Sequence, residues 1–386
     1  MDNMNSKLIY FDNSATAIPN PAASEAFVKA SMMYANPSSL HAFGLETRKM
    51  LEKARADVAS AFCCSPDELT FTSSGTESNN IAVISSARKN RHAGNVIVTT
   101  KAEHPSVTET VKALEKEGFC TVFVPVTGGK LDYDALEKVL ETEKVCLVAL
   151  MQANNQNGMV TDLKKVRGII ESTGSKALFH SDCVQGFLKV PNEMKSYAAR
   201  YCDTASVSAH KVGGFKGNGA LFVRRGLVLS PVLYGGGQER GLRSGTENVA
   251  GICAFAEAVK MFDDTYRAKI THLRELFISE AKEKLGDKID FRIPELHIDA
   301  LINVSLRNVK SEVALNYLSG RGVYVSASSA CSSKAKENTV LEAFGYGKEY
   351  EISSLRIGFS PFNTEEEVEI LVNELVNASA FRMKGK

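Results

Sequence analysis

Residues 203–223 read Asp203-Thr204-Ala205-Ser206-Val207-Ser208-Ala209-His210-Lys211-Val212-Gly213-Gly214-Phe215-Lys216-Gly217-Asn218-Gly219-Ala220-Leu221-Phe222-Val223. Two short β-rich runs, 203–207 and 220–223, enclose a Ser-Ala-His-Lys step and a glycine-rich loop. A strand that ends on polar residues and a lysine is the edge at which open α/β sheets place their chemistry. Upstream, further β-rich runs at 95–100, 121–126, 145–151 and 177–181 alternate with charged amphipathic stretches at 132–143 and 162–172. That alternation predicts βαβ units and a mostly parallel sheet buried on both faces. Downstream, a long helical stretch is expected over 247–285. It is followed by a smaller α+β unit with strands near 301–306, 323–326 and 355–359 and helices near 311–318 and 365–376. The division expected is a large unit of residues 13–260, and a small one of residues 1–12 with 261–386.

Composition excludes several classes. The chain has 386 residues, 44% apolar and 24% charged, with a formal net charge of +1. Those fractions are ordinary for a globular protein, and balanced charge gives no global attraction to nucleic acid or to a membrane surface. No run approaches 18 apolar residues, so no transmembrane helix is predicted. The N-terminal residues lead straight into Leu8-Ile9-Tyr10-Phe11, which predicts no signal peptide. Eight cysteines without CxxC pairs read as reduced cytoplasmic thiols. Neither CxxC pairs, HExxH nor an EF-hand loop is present, so no metal site is expected.

The candidate residues lie just after the predicted strands. Lys211 suits covalent attachment to a carbonyl compound; read alone, it is equally a solvated loop lysine. Asp182, in Phe179-His180-Ser181-Asp182-Cys183-Val184-Gln185, could pair with a pyridine nitrogen and keep the ring protonated. Pyridoxal 5'-phosphate chemistry requires such an electron sink. A helix N-cap is the plain alternative. Thr72-Ser73-Ser74-Gly75-Thr76-Glu77 reads as strand, turn and helix start, a phosphate cradle of backbone N–H groups. It fits equally a capping box of Ser74 with Glu77. His104 follows a strand and could stack on an aromatic ring and move protons, or be structural. Asn155, in an Asn-rich segment suited to a turn, could hydrogen-bond a phenolic oxygen. Cys331 sits among small polar residues with Lys334 and Lys336 nearby, surroundings that favour a thiolate. Arg356 alternates with apolar residues. It would either clamp a carboxylate through two parallel hydrogen bonds or line a solvent face.

Taken together, these motifs closely resemble the cysteine desulfurases, pyridoxal-phosphate enzymes of the class V aminotransferase family with the type I fold. The resemblance is carried by Tyr10-Phe11-Asp12-Asn13-Ser14-Ala15-Thr16, Asn36-Pro37-Ser38-Ser39-Leu40-His41, residues 72–80, Ala102-Glu103-His104 and residues 206–219. It continues through residues 236–248 and ends with the Cys331 segment and Arg356. The resemblance implies that Lys211 holds the cofactor covalently and that Asp182 pairs with its ring nitrogen. It further implies that Gln185 and Asn155 lie toward the ring hydroxyl and that His104 stacks on the ring. Gly75, Thr76, Ser208 and His210 would hold the phosphate, with Thr246 reaching the phosphate of a partner subunit in a homodimer. Arg356 would bind the substrate carboxylate on a side that also carries Asn36, and Cys331 would accept sulfur from L-cysteine. Ser329-Ala330-Cys331-Ser332-Ser333 resembles the branch that hands sulfur to an iron–sulfur scaffold or another acceptor protein. A selenocysteine lyase, a small-amino-acid aminotransferase and a non-catalytic scaffold are the rival readings. Gln156-Asn157 and Ala17 depart from the family's usual residues, as does Ser329.

Overall fold

The computed structural model describes residues 8–327 and 339–381. Cys331, with Ser329, Lys334 and Lys336, lies outside the described residues.

Strands appear in chain order as β1 (Ile9–Tyr10), β2 (Leu69–Thr72), β3 (Val96–Thr99), β4 (Cys120–Phe123), β5 (Val126–Thr127) and β6 (Lys130–Leu131). They continue as β7 (Val145–Ala149), β8 (Leu178–Asp182), β9 (Thr204–Ser208) and β10 (Gly219–Val223). Seven of them form one sheet in the order β2-β10-β9-β8-β7-β3-β4. All neighbours are parallel except β10, which runs antiparallel to β9 and β2. The predicted mostly parallel sheet is therefore present, with one reversed strand. Every residue of β7 and β9 is buried, as a sheet covered on both faces demands. The helix Gly75–Lys89 packs across β7 to β10, and Ile97, Leu147 and Val148 pack without exposure in the core. Six strands point the same way, so the residues after β2, β3, β7, β8 and β9 meet along one edge.

The second sheet joins β11 (Ile289–Phe291), β12 (Leu301–Leu306), β14 (Ser326–Ala327) and β15 (Ser354–Gly358), all antiparallel, in the order β11-β12-β15-β14. The expected strand over 323–326 is in fact two. β13 (Val323–Tyr324) pairs in parallel with β1, and after Val325 the chain crosses to β15 as β14. Phe11 and Phe359 meet edge to face and share one buried apolar cluster with Ile9, Leu301 and Ile357, so the N-terminal strand joins this second core. The helix expected over 247–285 is broken into Val249–Met261 and Asp264–Leu285. Asp263 is extended and its carboxylate accepts from the Tyr266 amide, capping the second helix and ending the first. Among the described residues no helix is long and apolar enough to cross a membrane.

Candidate active site

A cavity of about 190 Å³ opens at the shared strand edge. Gly75 and Thr76 follow β2, His104 follows β3, Asn155 follows β7, Asp182 and Gln185 stand at the end of β8, and Ser208, His210 and Lys211 at the end of β9. Nine of the residues singled out in the sequence thus line one space.

The helix Gly75–Lys89 begins at this cavity, with the Ser74 hydroxyl accepting from the Glu77 amide. The reciprocal half of the capping box is absent. Glu77 instead accepts from the Ser73 amide and hydroxyl and from Arg243 Nε at 2.8 Å, while Gly75 and Thr76, the first two residues of the helix, line the cavity. A Cβ at Gly75 would stand 2.4 Å from Val184 Cγ2, so glycine lets the helix start close to the turn after β8. Ser208 Oγ, buried, has no partner among the described residues. It is an orphaned donor aimed at a site of this kind.

Asp182 is bound from two sides. Its Oδ1 accepts from the Val184 amide at 2.9 Å and its Oδ2 from Asn79 Nδ2 at 2.7 Å. Because Asn79 turns its amide nitrogen to the carboxylate, its Oδ1 is left to accept from Ser206 Oγ and from His180 Nε2 at 3.1 Å. His180 is therefore protonated on Nε2, with Nδ1 toward the Thr204 hydroxyl at 3.0 Å. Complete burial pushes its pKa down to about 3, so the ring is neutral. Asn79 Nδ2 also reaches Ser106 Oγ at 2.8 Å, and that hydroxyl donates to His104 Nδ1 at 2.8 Å. The Ser106 amide donates to the same nitrogen, so His104 carries its proton on Nε2. Burial, together with the Lys211 charge, lowers the His104 pKa against the opposing pull of Asp182. Asn79, Ser106 and His180 were not singled out by sequence reading. Asn79 lies inside the quoted 72–80 motif, but its partners come from β8, β9 and the start of another helix.

Lys211 Nζ donates to the carbonyls of Ser14 and Ala15 at 2.7 and 2.8 Å. Burial first, then the nearby Arg356 charge, depress its pKa to about 8. The solvated-loop reading of Lys211 is thereby overturned. Arg356 is likewise on no solvent face, being 8% exposed. Nη1 donates to the Asn155 carbonyl at 2.9 Å; Nη2 reaches Asp12 Oδ1 at 3.2 Å and Ser326 Oγ at 3.1 Å. Nε is buried with no partner among the described residues, a donor of the fork left for another acceptor. Asn154, beside Asn155, is the residue that builds the turn. It accepts from the amides of Gln156 and Asn157 and donates to the Ala102 carbonyl. The departure at Asn157 is buried and donates to the Tyr346 hydroxyl at 3.3 Å.

Three expected residues are not in the cavity lining: Arg356, which reaches it only through the Asn155 carbonyl, and two exposed ones. Thr246 is exposed, beyond the Gly-rich segment. Asn36 is exposed and its side chain accepts from the Ser38 amide.

A lysine, an aspartate and a histidine meeting at the strand edge of such a sheet define a class, and comparison with known proteins agrees. The chain belongs to the aminotransferase class-V family, whose pattern matches residues 9–371. Within it, the chain falls in the branch whose curated members are named cysteine desulfurases. It is 36% identical over 393 residues to the cysteine desulfurase IscS of Dictyoglomus turgidum, covering 98% of each chain. It is 34% identical to the putative cysteine desulfurase IscS 1 of Bacillus subtilis, covering 94% of this chain and 96% of that one. A solved NifS-like protein superposes with a TM-score of 0.89 at 33% identity, covering 97% of this chain and all of the other.

Proposed function

We propose that this chain is a pyridoxal-5'-phosphate-dependent cysteine desulfurase that moves sulfur from L-cysteine to Cys331 and releases L-alanine. The observation that carries the reading is the convergence of Lys211, Asp182 and His104 on one cavity that also holds the unpartnered Ser208 hydroxyl. The residues fit the cofactor. Gly75, Thr76, Ser208 and His210 supply amides and hydroxyl or imidazole groups for a phosphate. Asp182, anchored by Asn79 and the Val184 amide, supplies the anion for a protonated ring nitrogen. His104 would stack on the ring, with Gln185 and Asn155 toward its hydroxyl side. Pyridoxal phosphate, when bound, supplies an electron sink for charge developing on the substrate.

Lys211 would hold the cofactor covalently and, when its amine is free, would take the substrate's Cα proton. Its depressed pKa suits a base near neutral pH. Arg356 offers its unpartnered Nε to the substrate carboxylate while Asp12 and Ser326 hold the guanidinium in place. The Cys331 thiolate attacks the substrate sulfur. An S–S bond forms, the C–S bond breaks, its electron pair goes to the substrate carbon, and that carbon takes up a proton to give alanine. No outside oxidant enters, because the two electrons given up in forming the S–S bond stay on the substrate carbon, which is reduced to the methyl group of alanine.

The reading extends to a homodimer and to a division into residues 13–260 and residues 1–12 with 261–386. Exposed Val28, Met32, Tyr34, Leu40, Leu233 and Tyr234 are apolar surface that supports the dimer. Exposed Thr246 would then serve the partner's site. The seven described cysteines are all free, which suits the reducing cytoplasm. The persulfide would pass to an iron–sulfur scaffold or another acceptor protein.

The test counts products from L-cysteine with dithiothreitol, in wild type and Cys331→Ser. Equal sulfide and alanine from wild type, with sulfide release lost in the variant while the absorbance change on cysteine binding persists, is the expected result. Undiminished turnover of C331S removes Cys331 from the mechanism. Pyruvate and ammonia in place of alanine would make the protein an elimination lyase.

A further inference from the structure

We propose that Lys189 is a positioning residue for the reaction: a second half-buried cation that fixes Gln185 and, through the Ser14 carbonyl, the place and charge of Lys211. The inference rests on the functional reading above.

Lys189 follows Leu188, whose φ of +64° is a left-handed conformation that a branched, bulky side chain rarely adopts. The segment is pinned in that shape: the Phe187 amide donates to the Cys183 carbonyl, and the Lys189 and Val190 amides to Gly186. Strain of this kind persists where the surrounding structure requires a side chain in one place. The side chain so delivered lines a second cavity, in company with Lys211, Asn13 and Ser14. Lys189 Nζ donates to Gln185 Oε1 at 3.2 Å. An ammonium only donates, so the Gln185 oxygen is turned to Lys189 and its Nε2 to the Ser14 carbonyl at 2.6 Å. That same carbonyl accepts from Lys211 Nζ. Gln185 also lines the substrate cavity, so one amide joins both lysines to the place assigned to the cofactor.

Among the described residues no carboxylate pairs with Lys189. Its pKa falls to about 7, through burial first and then the Lys211 charge. His210, beside them, falls to about 4 through burial and then the charges of Lys211, Lys189 and Lys216. The charged and titratable groups facing Lys211 are Arg356 and Asp12 from the second sheet and N-terminal segment, Asp182 and His104 across the cavity, and His210 and Lys189. With His210 neutral, Asp12 and Asp182 stand against Arg356 and the part-protonated Lys189. The Lys211 charge disfavours a proton on Lys189, and like charges act on each other, so a proton on Lys189 disfavours one on Lys211.

The experiment titrates the absorbance of the Lys211-linked cofactor against pH in the full-length, cofactor-loaded enzyme. Lys189→Met and Lys189→Arg are compared with wild type, and thermal unfolding checks folding. The K189M midpoint is expected to rise by about one pH unit, a tenfold gain in proton affinity, while K189R stays near wild type. An unmoved K189M midpoint overturns the proposal. If K189M does not fold, Lys189→Gln, which keeps a donor but no charge, replaces it with the same expectation. A wild-type protein that shows no such chromophore overturns the functional reading instead, so the two failures are distinguishable.

Discussion

Asn79 shows what a single residue does here and why it was hard to read. Lys211, Asp182 and His104 were legible because each stands just past a β-rich run, where an open α/β sheet does its chemistry. Asn79 stands one turn into a helix, a position with no such mark, and its value comes from the four groups the fold brings to it. Replacing it with alanine leaves Asp182 with one hydrogen bond, and frees Ser106 and His104 to turn. A hydrogen bond to a charged partner contributes about 1.5–3 kcal/mol, so N79A is expected to lose about ten- to a hundredfold in cofactor affinity, read by fluorescence titration. Affinity equal to wild type would mean that the Val184 amide alone secures Asp182. Asn79→Asp should cost more, because two adjacent carboxylates cannot both ionise cheaply. Arg356 makes a companion case. Its fork holds Asp12, Ser326 and Asn155 while Nε remains free, an arrangement a lysine cannot reproduce. R356K is expected to raise the KM for L-cysteine by about tenfold or more, with protein stability much less affected. A KM within twofold of wild type would place the substrate carboxylate elsewhere.

Elements were legible to the extent that their pattern was local. The strands of the large sheet lie within a few residues of their expected places because continuous apolar runs between polar turns need no partner to be recognised. The break at Phe262–Asp263 was missed because amphipathic character continues on both sides of it, and only the Asp263 cap ends the first helix. The split of 323–327 was missed because it depends on which strand each half meets. The same dependence on partners governs how the Gly-rich segment 235–245 is held. Glu239, 5% exposed and at φ +48°, takes both Arg55 Nη1 and Nη2 at 2.7 and 2.8 Å and the Phe71 amide at 2.8 Å. The bond ties that segment to β2 and to the helix Ala42–Phe62. Glu239→Ala leaves the buried Arg55 guanidinium with Glu52, at 3.1 Å from Nε and half exposed, as its remaining carboxylate, and is expected to cost up to about 3–5 kcal/mol in urea unfolding. A loss under 1 kcal/mol would show that water replaces the carboxylate. At β15, a Cβ on Gly358 would come within 2.6 Å of the Ser14 amide nitrogen. Gly358→Ala should push the Ser14–Ala15 carbonyls away from Lys211, costing about 1–3 kcal/mol and loosening cofactor retention on gel filtration.

At the scale of the whole molecule, the buried titratable groups make stability a function of pH, and their signs differ. His180 and His210 have pKa values lowered to about 3 and 4, so both must gain a charge on unfolding below their ordinary value of about 6.5. They destabilise the fold as pH drops through that range. Glu103 works in the other direction. It is 3% exposed; its Oε1 accepts from the Thr100 hydroxyl at 2.9 Å, and Oε2 is buried without a partner. Burial pushes its pKa up to about 8, so the folded chain holds its proton where the unfolded chain has released it. The folded state then binds more protons than the unfolded one between about pH 4.5 and 8, and Glu103's contribution to stability falls as pH rises through that window. Glu103→Gln copies the protonated acid and cannot ionise. The stability of wild type minus that of E103Q, from urea unfolding of the loaded enzyme, is therefore expected to decline from pH 5 to pH 8 by up to about 1.4 kcal/mol per pH unit. The histidine terms are common to both proteins and cancel in that difference. A difference that stays flat across the window would mean that Glu103 is already ionised at pH 5, and that a donor reaches Oε2 in solution.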